Sequence, residues 1–134
     1  MNILFLGAPG SGKGTQSKNI EEKFNIPQIS TGDLLRAETA SESKMGQELK
    51  NIMSSGKFVS DDIVLKLVSK KITSSDCKNG FILDGFPRNL SQASSLDSLL
   101  SDLDLSIEYV FLIDVPIDLI IKRCVGRITC NTCG

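Results

Sequence analysis

Histidine does not occur anywhere in the 134 residues. Its absence removes the Ser-His-Asp and Cys-His nucleophile pairs and every imidazole proton shuttle. Cysteine is scarce: there are only Cys77, Cys124, Cys130 and Cys133, and only the last two are spaced Cys-x-x-Cys. That is not the disulfide framework of a small secreted domain. No apolar run approaches the length that crosses a bilayer, and the first residues lack a basic segment followed by a long apolar one. The expectation is a soluble protein of a reducing cytoplasm, with no membrane partner. An excess of one charge is missing too. Fifteen Lys and Arg stand against sixteen Asp and Glu, a formal net charge of −1, which leaves no electrostatic case for nucleic acid. Basic residues that matter must therefore act in local clusters. No repeat or low-complexity tract interrupts the chain, and a hydrophobic content of 40% suffices for one compact α/β domain.

What is present is Gly7-Ala8-Pro9-Gly10-Ser11-Gly12-Lys13-Gly14-Thr15, placed between the apolar run Ile3–Leu6 and a helix-like stretch carrying Ile20 and Phe24. A strand, a glycine-rich loop and a helix make an anion trap. Glycines let backbone N–H groups turn inward, and the helix start adds unpaired amides and a positive dipole end. Gly10, Ser11, Gly12, Lys13, Gly14 and Thr15 are the expected cradle for a nucleotide's phosphates. Lys13 brings a mobile charge, and Thr15 brings a hydroxyl close to where magnesium would sit. Gly14 separates the lysine from the hydroxyl residue, unlike the usual pattern in GTPases and motor ATPases. The bland alternative is a glycine-rich turn that binds nothing.

In this form the loop resembles that of the nucleoside monophosphate kinases, above all the adenylate kinases. The resemblance implies a P-loop NTPase-type parallel sheet flanked by helices, with a helical nucleoside-monophosphate-binding insertion and a lid. Residues 1–29 and 60–125 are expected to form the core, 30–59 the insertion, and 126–134 the start of the lid. Family members continue beyond the first cysteine pair, so the chain resembles an N-terminal part of one. Taken by itself it is expected to be inactive in transfer.

The order of elements fits. Strands are expected at Ile3–Leu6, Gln28–Ser30, Phe81–Leu83 and within Glu108–Val115, alternating with helices, which implies a parallel sheet with ligands at the strands' carboxyl ends. Helices are expected from about Lys13 to Phe24, through Asp33–Arg36, over Met45–Met53 with Gly56 as a C-terminal cap, and from Ser60-Asp61-Asp62 onward. Leu90, Ala93, Leu96, Leu100 and Leu103 read as core at helical spacing, and Ile117, Ile120, Ile121 and Cys124 lie on a last helix. Cys77 and Cys124 are expected to be shielded thiols. The insertion carries few large apolar residues and is expected to move against the core.

Four further stretches carry chemistry. In Asp84-Gly85-Phe86-Pro87-Arg88, an acid ending an apolar strand can orient magnesium's water shell, with a turn acid as the competing reading. Arg88 offers a planar fork to phosphate oxygens, and Gln92 a paired donor and acceptor for an adenine edge. By the resemblance, Gly85, Phe86 and Pro87 flank the acceptor, Thr31 and Arg36 of Ser30–Arg36 contact it, and the backbone at Lys57, Phe58 and Val59 encloses its base. Pyrimidine monophosphate kinases, the alternative within the class, typically carry Ala and Asn where Thr31 and Gln92 stand. Arg123 and Arg127, four apart, could project from one helix face onto the transferring phosphates; a basic helix end is the alternative. Lys13, Asp84, Arg88, Arg123 and Arg127 are thus the expected catalytic set, with ATP and AMP as substrates, magnesium as cofactor and a monomeric protein. Cys130 and Cys133 are half of a zinc site by the resemblance, or a free thiol pair. A nucleotide-binding module without turnover is the rival from another class.

Overall fold

The computed structural model describes residues 1–55, 59–126 and 128. The first apolar run becomes strand β1 (Asn2–Leu6), followed by β2 (Gln28–Ser30), β3 (Phe81–Asp84) and β4 (Tyr109–Leu112). They form one sheet in the order β2-β3-β1-β4, with every pairing parallel. The expected α/β parallel sheet is the one observed. Between the strands run α1 (Lys13–Phe24), α2 (Thr31–Ala40), α3 (Lys44–Ser54), α4 (Asp61–Ile72), α5 (Leu90–Asp102) and α6 (Ile117–Val125).

Alternation along the strands sorts the core into two layers. Ile3 and Phe5 of β1 pack with Ile82 and Ile26, joined by Ile20 of α1. Leu4 faces the other way, with Phe81, Leu83 and Ile29, against Val68 and Ile72 of α4 and Leu96 and Leu100 of α5. Local chemistry fixes the helix ends. The Ser30 hydroxyl accepts the Asp33 N–H at 3.4 Å to start α2, and Ser43 accepts the Gly46 N–H at 2.8 Å to start α3. Asn25, in the left-handed region at φ 53°, closes α1. Gly56, the expected cap of α3, lies outside the described residues.

The strand order sets the site. The chain leaves β1 for β2 on one side, and leaves β3 for β4 on the other. Loops departing from the adjacent carboxyl ends of β1 and β3 diverge, which opens a crevice there.

Several expectations need correcting. Leu90, the first residue of α5, is 87% exposed; Gln92 and Leu96 are the helix's first buried residues. β4 is the sheet edge, and its residues Tyr109, Val110, Phe111 and Leu112 are exposed although the run is apolar. α6 has no buried residue despite its apolar stripe, and Cys124 is exposed rather than shielded. α6 stops at Val125, with Gly126 as its cap; Arg127, expected to share a helix face with Arg123, lies outside the described residues.

Candidate active site

At the carboxyl end of β1 the chain turns back on itself, with the Ser11 N–H bonding the Ala8 carbonyl at 3.1 Å. Gly7 lies so close to β4's continuation that a Cβ there would meet the Ile113 carbonyl oxygen at 2.6 Å. Gly12 caps α1 at φ 106°, a conformation open mainly to glycine. No side chain caps this helix start and no acid occupies its first turn. Its amides and dipole therefore keep their pull for an external anion. The Lys13 ammonium folds back onto the loop, donating to the Gly7 carbonyl at 2.8 Å and to Ala8 at 3.0 Å. Ser11 Oγ is buried with no hydrogen-bond partner among the described residues.

A cleft of about 750 Å³ opens over this loop. Its walls include the whole of Pro9–Gln16, and with them Arg36, Asp84, Arg88 and Arg123. Four cationic side chains thus face a helix start, with one acid among them. Asp84 Oδ2 accepts from the Gln28 amide at 2.8 Å, and a Cβ at Gly14 would stand 3.9 Å from that oxygen. Arg123 reaches from α6 to donate to the carbonyls of Gly10 at 3.2 Å and Ser11 at 3.3 Å. Arg36 is paired with Asp33 on its own helix, and that guanidinium holds the Asp33 carboxyl below its usual value.

A second cavity, of about 450 Å³, adjoins the first. Leu35, Met53, Val59, Val64 and Phe86 give it apolar walls, and Asp61 and Gln92 supply polar ones. Thr31, Gly85 and Arg88 line both spaces. There the Thr31 hydroxyl donates to the Gly85 carbonyl at 3.3 Å, and Arg88 Nε donates to the same oxygen at 2.8 Å. The two bonds hold the wall between the cavities. Pro87 lines neither. Lys57, Phe58, Arg127, Cys130 and Cys133 lie outside the described residues. Among the described residues no group of three or more Cys, Asp or Glu side chains could hold a metal.

Sequence reasoning missed Asp61, which reaches Gln92, and Gln28, which holds Asp84. Gln28 sits two residues before the Ser30 cap, on a strand too short to show alternation, and only the β2–β3 pairing brings it to Asp84. A family model for adenylate kinase matches residues 5–130. The chain belongs to the adenylate kinase family. Among curated relatives, an adenylate kinase of Thermodesulfovibrio yellowstonii is 52% identical over all 134 residues, which make up 62% of the relative. Those of Archaeoglobus fulgidus and Nitrosococcus oceani are 47% and 46% identical over the same span and share. The chain therefore covers about three fifths of the length of these adenylate kinases.

Proposed function

We propose that the protein is an adenylate kinase in activity, moving the terminal phosphoryl group of ATP reversibly to AMP to give two ADP. The observation that supports this most is the shared wall. A phosphate cradle and an apolar cleft meet at Thr31, Gly85 and Arg88, which suits two nucleotides placed phosphate to phosphate.

In this reading the cradle Gly10–Thr15 takes the donor's phosphates, and Lys13 leaves its carbonyls for their oxygens. A phosphate oxygen of AMP attacks the γ-phosphorus of ATP. The bond from that phosphorus to the β-phosphate's bridging oxygen breaks, and ADP departs. No base is needed, because the acceptor phosphate has a second pKa of about 6 and is largely a dianion at neutral pH. That suits a chain without histidine. Catalysis is then positioning plus charge: Lys13, Arg88 and Arg123, with Arg127, surround the phosphoryl group in flight. Thr15 and Asp84 would hold magnesium brought with ATP, which when bound would neutralise phosphate charge. Both residues are hard oxygen donors beside the cradle, which suits an ion held largely by phosphates and water. Thr31, Arg36 and Gln92 receive the acceptor, with Val59, Gly85 and Phe86 about its base; Lys57, Phe58 and Pro87 complete that side by family resemblance. Cys130 and Cys133 supply at most two of the four ligands of a structural zinc. The protein is read as a cytoplasmic monomer.

A coupled assay offering AMP, CMP and UMP with Mg-ATP, run on the complete protein beside an ATP titration, tests this. Transfer to AMP well above the pyrimidines is expected. Preference for CMP or UMP would replace the reading with a pyrimidine kinase, and ATP binding without transfer would replace it with a binding module.

A further inference from the structure

Resting on the acceptor reading above, we propose that Asp61 is a positioning residue. It fixes which way round the Gln92 amide faces the base, so that the cleft selects 6-amino over 6-oxo purine monophosphates. Gln92 is only 8% exposed, and its amide is held from both sides. The Arg88 backbone N–H donates to Oε1 at 2.7 Å. Asp61, at the start of α4, accepts from Nε2 at 2.6 Å. A third bond, from the Gln92 N–H to Asn89 Oδ1 at 2.8 Å, anchors its backbone.

These partners leave no ambiguity about the amide. A backbone N–H can only donate, so it must meet the oxygen; an ionised carboxylate can only accept, so it must meet the nitrogen. A primary amide offers two N–H donors and two lone pairs, and each bond to the protein uses one. One donor and one acceptor remain, in a fixed order. Asp61, Arg88 and Gln92 all line the apolar cavity, so that ordered pair belongs to its wall.

Adenine presents an amine donor beside a ring nitrogen acceptor, and a 6-oxo purine presents the reverse. An amide free to turn over would serve either. Turned over here, it would set Oε1 against the Asp61 carboxylate and Nε2 against the Arg88 N–H. The 6-oxo base is thus disfavoured by repulsion at groups it never touches. Cytosine carries the same donor and acceptor order as adenine, so rejection of pyrimidines belongs to the rest of the cavity and does not depend on Asp61.

The test is calorimetric titration of the protein with AMP, inosine monophosphate and CMP. In Asp61→Ala the ratio of AMP to inosine monophosphate affinity should narrow by about tenfold, the worth of one oriented pair, while the AMP to CMP ratio holds. Asp61→Glu, whose carboxylate can still only accept, should keep most of the wild-type ratio. Asp61→Ser keeps a polar first turn but can donate as readily as accept, so it should narrow the ratio like alanine and serves if that variant fails to fold. Asp62→Ala removes the neighbouring charge from the same helix turn and should change neither ratio. An unchanged inosine ratio in folded Asp61→Ala or Asp61→Ser overturns the proposal, as does equal narrowing in Asp62→Ala. Wild-type protein that binds AMP and inosine monophosphate alike also overturns it. Failure to prefer AMP over CMP would instead overturn the acceptor reading, and this inference with it.

Discussion

Lys13 is bonded to the carbonyls of Gly7 and Ala8, so its charge lies within reach of the glycine-rich loop rather than extended into solvent. Lys13→Met should keep the fold and lower transfer by about 10²–10³ or more, the usual cost of removing a positioned electrostatic donor; near-normal turnover in a folded variant would sink the cradle assignment. The two described thiols should also part company. Burial pushes the Cys77 thiol above its ordinary pKa, whereas Cys124 is exposed beside the loop, its sulfur 3.5 Å from the Pro9 carbonyl. Peptide mapping after alkylation at neutral pH should find Cys124 labelled well before Cys77, and equal rates would contradict the packing. Folded Cys77 holds its proton more tightly than the unfolded chain does. That contribution is whole below the unfolded thiol's value of about 8.5 and is lost as pH rises from there through the folded value. The melting temperature should therefore fall less steeply between pH 8 and 10 in Cys77→Ala than in wild type, and parallel slopes would contradict it. Lys13, Asp84, Thr31 and Arg88 were legible in the sequence because their motifs are contiguous. Asp61 and Gln28 were not, since each acts on a partner far along the chain and neither sits in a motif.

Among elements, the apolar cavity is built where α2, α4 and the start of α5 converge on β3. Thr31→Ala with Gln92→Asn should relax the preference for AMP over pyrimidine monophosphates by about 1–3 kcal/mol, read as a ratio of kcat/KM values; an unchanged ratio means these residues do not read the base. The α2–α3 hairpin should close on the core when both nucleotides bind. Adenylate kinases are themselves standard examples of such closure, so the general mechanism is not new here. Spin labels on α3 and α5 whose separation ignores ligand would count against it. Periodicity revealed nearly every strand and helix, because each buries one face. It misjudged Leu90, and β4 and α6 lie exposed although apolar, because an apolar stripe says that a face can be buried and not that anything described covers it. The contrast is measurable. Ile82→Ala, in the middle of the sheet and fully buried, should cost about 2–4 kcal/mol. Leu112→Lys, on the 70% exposed edge, should stay within about 0.5 kcal/mol by chemical denaturation.

At the scale of the whole molecule, strand order does what no single motif can. It sets the loops after β1 and β3 side by side, so that the glycine-rich loop's cleft and the apolar cavity share Thr31, Gly85 and Arg88 as a common wall. The central claim is that a phosphoryl group crosses that wall from one nucleotide to another. The most direct test supplies the protein with ATP carrying a γ-phosphate isotope label, together with unlabelled AMP, and follows where the label goes. The account predicts label appearing as the β-phosphate of ADP formed from AMP, dependent on both nucleotides and absent in Lys13→Met. Label released as inorganic phosphate at the same rate with or without AMP would contradict it.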